Sequence, residues 1–181
     1  MSDRDLIALW EAHCRYEFET RDVDATMATM IDTPYVNHVP TMTGGVGHDQ
    51  LKRFYKYHFI GGNPDDTRLI PISRTVGKDQ IVDEMLFTFT HTREIDWMLP
   101  GIPPTGKKVE VPLVAIVRFQ DGKVAHEHIY WDQATVLVQI GKLDAKDLPI
   151  AGIESARKVV DTTRPSNTLM ARWTSSQDKP L

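Results

Sequence analysis

The stretch KKVEVPLVAIVRFQDGKVAHEHIYWD, residues 107–132, holds two runs of strand-like residues separated by Asp121-Gly122. Asp and Gly tolerate the positive φ angles of a tight two-residue turn, so the spacing predicts an antiparallel hairpin. In the first arm Val109, Val111, Leu113, Ala115, Val117 and Phe119 form an unbroken apolar row, the mark of a strand face turned to a core. Strict alternation in the second arm puts Val124, His126, His128, Tyr130 and Asp132 on one face. It puts Lys123, Ala125, Glu127, Ile129, Trp131 and Gln133 on the other.

Upstream, QIVDEMLFTFTHT alternates in the same way, with Ile81, Asp83, Met85, Phe87, Phe89 and His91 sharing one face, and RLIPISRTV at 68–76 is a fourth strand candidate. Before residue 66 the period is helical. Leu6, Leu9, Trp10, His13, Cys14 and Phe18 follow a Ser2/Asp3 cap and predict a helix over 3–19. A short helix is expected at 24–31, an extended TPYVNHVP and a glycine turn TGGVG after it, then a third helix HDQLKRFYKYHF closed by Gly61 and Gly62. Helices first and an antiparallel sheet afterwards is the α+β arrangement. Residues 1–141 read as a single domain, and 142–181 as a C-terminal helix and tail packed on the body or on a partner subunit.

A chain of 181 residues with 41% apolar residues can bury one core. The formal charge of -4 and the absence of Lys/Arg clusters argue against a nucleic-acid partner. Cys14 is the single cysteine, which excludes an intrachain disulfide and a cysteine metal site. No apolar run is long enough for a bilayer and the first residues lack a basic, then apolar, leader, so no membrane partner and a cytoplasmic location are expected. There is no G-x-S-x-G elbow, and TGGVGHDQ lacks the third glycine of a dinucleotide loop.

The polar row of the last strand is the chemical signal. If the helices wrap that face, its groups line a cone floored by Phe87, Phe89, Val117 and the aromatic residues of the first and third helices. A carboxylate buried there has its pKa raised by desolvation and can take a proton and return it. Two histidines two apart on one strand face, with Asp132 and His38, would also suit zinc or iron, but that spacing is weakly specific.

The succession PYVNHVP, a glycine turn and helix, PDD at 64–66, GIPPTGKKVEV at 101–111, IVRFQDGKVAHEHIYWD at 116–132 and VQIG resembles the SnoaL-like polyketide cyclases of the nuclear transport factor 2-like superfamily over residues 5–141. The PTGK stretch, the R-x-x-DGK hairpin and the aspartate ten residues after its glycine carry the likeness. The resemblance implies a curved antiparallel sheet and N-terminal helices enclosing a cone-shaped pocket, usually in dimers. It also implies an acid/base aspartate on the last long strand, at Asp132, assisted by a histidine. The cyclases show a Glu-His-Trp type of sequence after DGK where this chain reads His126, Glu127, His128, so the assisting histidine stays open. The superfamily also holds isomerases, dehydratases, hydrolases and non-catalytic binders.

The expected function is therefore cofactor-independent acid/base chemistry, of cyclase or isomerase type, on a small apolar carbonyl compound. The alternatives are a hydrolase or dehydratase using the same pocket, or a non-catalytic binding dimer. Asp132 is the expected base and acid, with His128, His126 and His38 beside it. Asn37 and Tyr130 would hydrogen-bond a developing oxyanion, and Asp83, His91, Trp10, Phe87, Tyr55 and His58 would contact substrate. No metal and no cofactor are assigned. A homodimer through the outer sheet face is expected, because Leu86, Val114, Ile116, Ile129 and Trp131 would otherwise lie bare.

Overall fold

The computed structural model describes residues 2–180. Ser2 caps α1 (Asp3–Phe18) reciprocally: its hydroxyl accepts from the Asp5 N–H at 3.3 Å, and the Asp5 carboxylate accepts from the Ser2 N–H at 2.8 Å. The buried stripe of α1 is Leu6, Trp10, His13 and Glu17. These positions are three or four apart, as a helix face requires, yet half of them are polar. Asp22 caps the short α2 (Val23–Ala28) through the Ala25 N–H.

Next come β1 (Met30–His38), β2 (Thr43–Val46) and α3 (His48–Phe54), which runs on as one π-helical turn over Tyr55–Phe59. The four expected strands follow as β3 (Arg68–Val76), β4 (Gln80–Thr90), β5 (Lys108–Gln120) and β6 (Lys123–Trp131), and then α4 (Gln133–Gln139) and α5 (Glu154–Val160). One six-stranded sheet results, in the order β2-β1-β6-β5-β4-β3. It is mixed rather than wholly antiparallel, since β1 lies parallel to β6 and every other neighbour is antiparallel. α1 packs on β3 and β6, and α3 on β1 and β2. The segment between β4 and β5 buries Ile95, Trp97, Met98 and Leu99 beneath the sheet without forming an element of its own. Among the described residues no helix is long and apolar enough to cross a membrane.

The hairpin at Asp121-Gly122 forms, but its second arm does not alternate strictly. Pairing runs unbroken from Leu113 opposite Trp131 to Arg118 opposite His126, and then jumps to Phe119 opposite Val124. Ala125 is the extra residue, a β-bulge that inverts the faces from residue 126 onward. Val124 and Ala125 are both buried, after which Glu127, Ile129 and Trp131 face the core. His126, His128 and Tyr130 therefore lie on the outer face, opposite to the alternation expected from sequence. Ile129 and Trp131 drop out of the outer apolar row for the same reason.

α5 covers part of that outer face. Its Ala156 is fully buried and its Arg157 Nε lies 3.9 Å from Glu110 Oε2 on β5. Where β6 ends, the Gln139 amide of α4 takes over the free edge of β5, accepting from the Glu110 N–H at 2.9 Å and donating to its carbonyl at 3.0 Å. Ile70 and Tyr130 remain exposed on the outer surface.

The glycine turn is a strand, β2, held against β1 at close range. Gly44 has φ +134°, and a Cβ there would sit 2.1 Å from the Val36 carbonyl oxygen. Gly44→Ala must distort the β1–β2 pair, and its urea unfolding midpoint should report a loss of roughly 1–3 kcal/mol. An unchanged midpoint would mean that this pairing is not formed as described.

Candidate active site

Between α1 and the inner sheet face lies a narrow cavity of about 40 Å³. Trp10, Phe18, Val36, Phe59, Phe87 and Trp97 supply apolar wall, and Glu17, Glu127, Tyr55 and His38 also line it. Each polar group arrives by a local device. His13 and Glu17 are one helical turn apart on the buried stripe of α1. Glu127 is turned inward by the Ala125 bulge. Tyr55 begins the π-helical turn, whose wider winding re-aims the side chains that follow α3.

These groups form one buried network. His13 Nε2 lies 3.2 Å from Glu17 Oε1 and 3.2 Å from Glu127 Oε1. The Thr29 hydroxyl donates to the Thr26 carbonyl at 2.6 Å, so its oxygen accepts the bond from His13 Nδ1, also 2.6 Å long. Nδ1 thus carries a proton, and Nε2 is the atom shared between the carboxylates. The Tyr55 hydroxyl donates to Glu127 Oε1 at 3.4 Å, and the Trp10 ring stacks on His13 at 5.5 Å.

The electrostatics follow from burial. Desolvation alone pulls the His13 imidazole down, but Glu17 and Glu127 overrule it and hold it protonated to about 10. Burial pushes the Glu17 carboxyl up, against the pull of His13. Burial also pushes the Tyr55 phenol and the Cys14 thiol up, so both stay protonated. His38 goes the other way: desolvation drops it to about 4, and its Nδ1–H donates to the Thr43 carbonyl at 3.2 Å. It is a neutral imidazole within an aromatic cage, 4.7 Å from Trp97 between ring centres.

The residues expected from sequence divide accordingly. His38, Trp10, Tyr55 and Phe87 line the cavity. Asp83 is buried beside it, where both its oxygens bind Arg74 at 2.8–3.0 Å and Oδ2 accepts from the Trp10 indole at 2.8 Å. Asp132 does not reach the cavity. It is the N-cap of α4, its Oδ1 accepting from the Ala134 and Thr135 N–H groups and its Oδ2 from the Thr135 hydroxyl at 2.6 Å. His126 and His128 stack on each other at 4.8 Å on the outer face, beside exposed Tyr130 and half-buried Asn37. His58 pairs with Asp96 at the surface at 2.8 Å, and His91 is buried against Thr105 away from the cavity.

His13, Glu17, Glu127 and Trp97 were not among the expected residues. His13 and Glu17 had a signal, since two polar residues four apart sat within the apolar stripe of α1. The set that could hold a metal is also displaced from the strand histidines to this network, where one ligand atom each from His13, Glu17 and Glu127 lie within 4.8 Å of one another.

Two outcomes follow. A folded-state value near 10 for His13, against ~6.5 unfolded, gives stability that is complete below that lower value and lost as pH rises toward about 10. His38, lowered to about 4, gives stability that is present at neutral pH and lost as pH falls toward about 4. Thermal melts across this window should fall off on both sides, with a shallower acid limb in His38→Phe; an acid limb identical to wild type would contradict the neutral buried imidazole. Asp132→Ala should cost about 1 kcal/mol in a denaturant melt, as loss of a helix cap does.

Comparison with known proteins agrees with this architecture. No curated protein sequence matches the chain. Among solved structures, TsrD from Streptomyces laurentii is 19% identical, with TM-score 0.63 over 79% of this chain and 99% of its own. An NTF2-like protein from Burkholderia thailandensis E264 is 17% identical, with TM-score 0.56 over 74% and 95%. A putative SnoaL-like polyketide cyclase from Jannaschia sp. CCS1 is 21% identical, with TM-score 0.56 over 75% and 93%. At such identities these likenesses show a shared NTF2-like fold. The profile of the SnoaL-like polyketide cyclases matches residues 10–140. By that match, which spans most of the chain, the protein belongs to the SnoaL-like polyketide cyclase family.

Proposed function

We propose that the protein is an acid/base enzyme of cyclase or isomerase type that removes a proton next to the carbonyl of a small, mostly apolar compound. One observation carries this reading: an imidazole nitrogen shared by two buried carboxylates at the wall of an aromatic cavity. Titratable groups gathered in a desolvated network at a cavity wall are a usual sign of an acid/base site.

Glu127 is the base in this reading, since it lines the cavity and accepts hydrogen bonds from Tyr55 and His13. It takes the proton from carbon. Glu17, pushed toward its acid form, donates to the carbonyl oxygen that gains charge, and the Tyr55 hydroxyl, which donates to Glu127, orients the base. His13 resets the site: its Nε2 proton passes to Glu17, and Nε2 then takes the proton held by Glu127. No proton is gained or lost over the cycle. The cavity is smaller than the ~300–1,000 Å³ of ordinary ligand sites, so the substrate must displace wall side chains as it enters.

The test is deuterium incorporation from heavy water into a panel of aryl ketones, read by mass spectrometry. Glu127→Gln keeps the shape and should lower exchange by roughly 10²- to 10⁴-fold, whereas Asp132→Asn, which preserves the cap, should exchange like wild type. Exchange that survives Glu127→Gln, or that vanishes with Asp132→Asn, would move the chemistry elsewhere. Binding without exchange for every compound would favour a non-catalytic carrier of such ligands.

A further inference from the structure

The inner cavity shares a wall with a second space. Cys14, Phe18, Leu69 and Met85 border both it and a groove of about 480 Å³ between α1 and β3. The two differ in character. Where the cavity is aromatic, the groove carries Arg15, Arg68 and Arg74 together with Glu11, Glu19 and Asp83.

Those charges, three of each sign, balance in sum but are unevenly placed. Arg74 is committed to Asp83, and to Glu11 at 2.9 Å, which uses two of the three acids. Among the described residues Arg15 and Arg68 form no ion pair. The Arg15 guanidinium lies 5.4 Å over the Tyr16 ring, and Arg68 donates only to the carbonyls of Asp65 and Thr67, at 3.4 and 2.7 Å. Within the groove lining Glu19 is the acid left for these two cations; outside it, the Asp66 carboxylate also feels Arg68 but is occupied by the Thr90 N–H and hydroxyl. Beside Arg68, the Thr67 hydroxyl oxygen is buried without a hydrogen-bond partner. A buried hydroxyl left unpaired is a standing cost, which a ligand oxygen would relieve.

We propose that this groove is a distal subsite for a carboxylate, so that the substrate is a rigid aryl keto acid with its carbonyl at Glu127 and its anionic end at Arg68, Arg15 and Thr67. The assignment rests on the acid/base reading above for the position of the carbonyl. Arg68 offers a planar fork suited to two carboxylate oxygens, Arg15 adds a second cation, and the Thr67 hydroxyl donates once a partner is present. The wall of Phe18, Leu69 and Met85 consists of flexible or rotatable side chains, and its displacement joins the two spaces.

The experiment is a binding titration by intrinsic tryptophan fluorescence, since Trp10 and Trp97 line the cavity. The probes are an acetylnaphthoic acid and its methyl ester, which share the ring and ketone and differ in charge. Wild type should bind the acid about tenfold more tightly than the ester, with a preference that shrinks as salt is raised. Arg15→Gln combined with Arg68→Gln should abolish the preference and leave ester affinity unchanged; both side chains are exposed, so the fold should persist by circular dichroism. Equal affinity for acid and ester, a preference that survives the double substitution, or no binding of either compound at ~1 mM would each overturn the subsite. Acid preference without Glu127-dependent exchange would keep the subsite and remove the acid/base reading. Exchange without acid preference would do the reverse.

Discussion

The structure turns on one imidazole placed between two carboxylates in an apolar interior. Left apart, each of these groups would be expensive to bury, and together they are tolerable only because each supplies what the others lack. That mutual dependence fixes the relative positions of α1, which brings His13 and Glu17, of β6, which brings Glu127, and of the turn after α2, which brings Thr29. A second polar tie, from the preceding turn of the same buried stripe of α1, works in the same direction. The Trp10 indole reaches Asp83, and Asp83 in turn holds Arg74, so the helix is pinned to β3 and β4 by direction-dependent bonds as well as by apolar contact.

Around this network the remaining polar groups serve the frame. Asp132 terminates the sheet and starts a helix; its oxygens are occupied by the first turn of α4. Asn63 accepts from the Trp97 indole, and the Trp97 carbonyl accepts from the hydroxyls of Thr41 and Thr43, which together anchor the irregular segment that closes the cavity. His38 is sheltered by aromatic rings on several sides and is kept neutral by that shelter.

The helix-to-strand succession was legible in the sequence because it depends on local periods: the capped stripe of α1, the Asp121-Gly122 turn and the apolar row of β5 all formed where expected. The parallel pairing of β1 with β6 was not, since it joins segments about ninety residues apart and leaves no local trace. The site was half legible. Trp10, His38, Tyr55 and Phe87 were among the aromatic or titratable groups expected at the pocket. Glu127 did not, because one unpaired alanine reverses the parity of β6 and no residue type marks an alanine as a bulge. Asp132 was misplaced by the same reversal, its acidic character satisfying a helix N-terminus instead of a pocket.

Because Ala125 alone sets which row of β6 looks inward, this strand carries two complete chemical faces, one of Glu127, Ile129 and Trp131, the other of His126, His128 and Tyr130. Point substitutions can only edit one residue of either face. Loss or gain of a single codon at the hairpin's exit would exchange the faces wholesale, making length variation, more than side-chain replacement, the step by which a lineage built on this sheet could trade a carboxylate interior for an imidazole one.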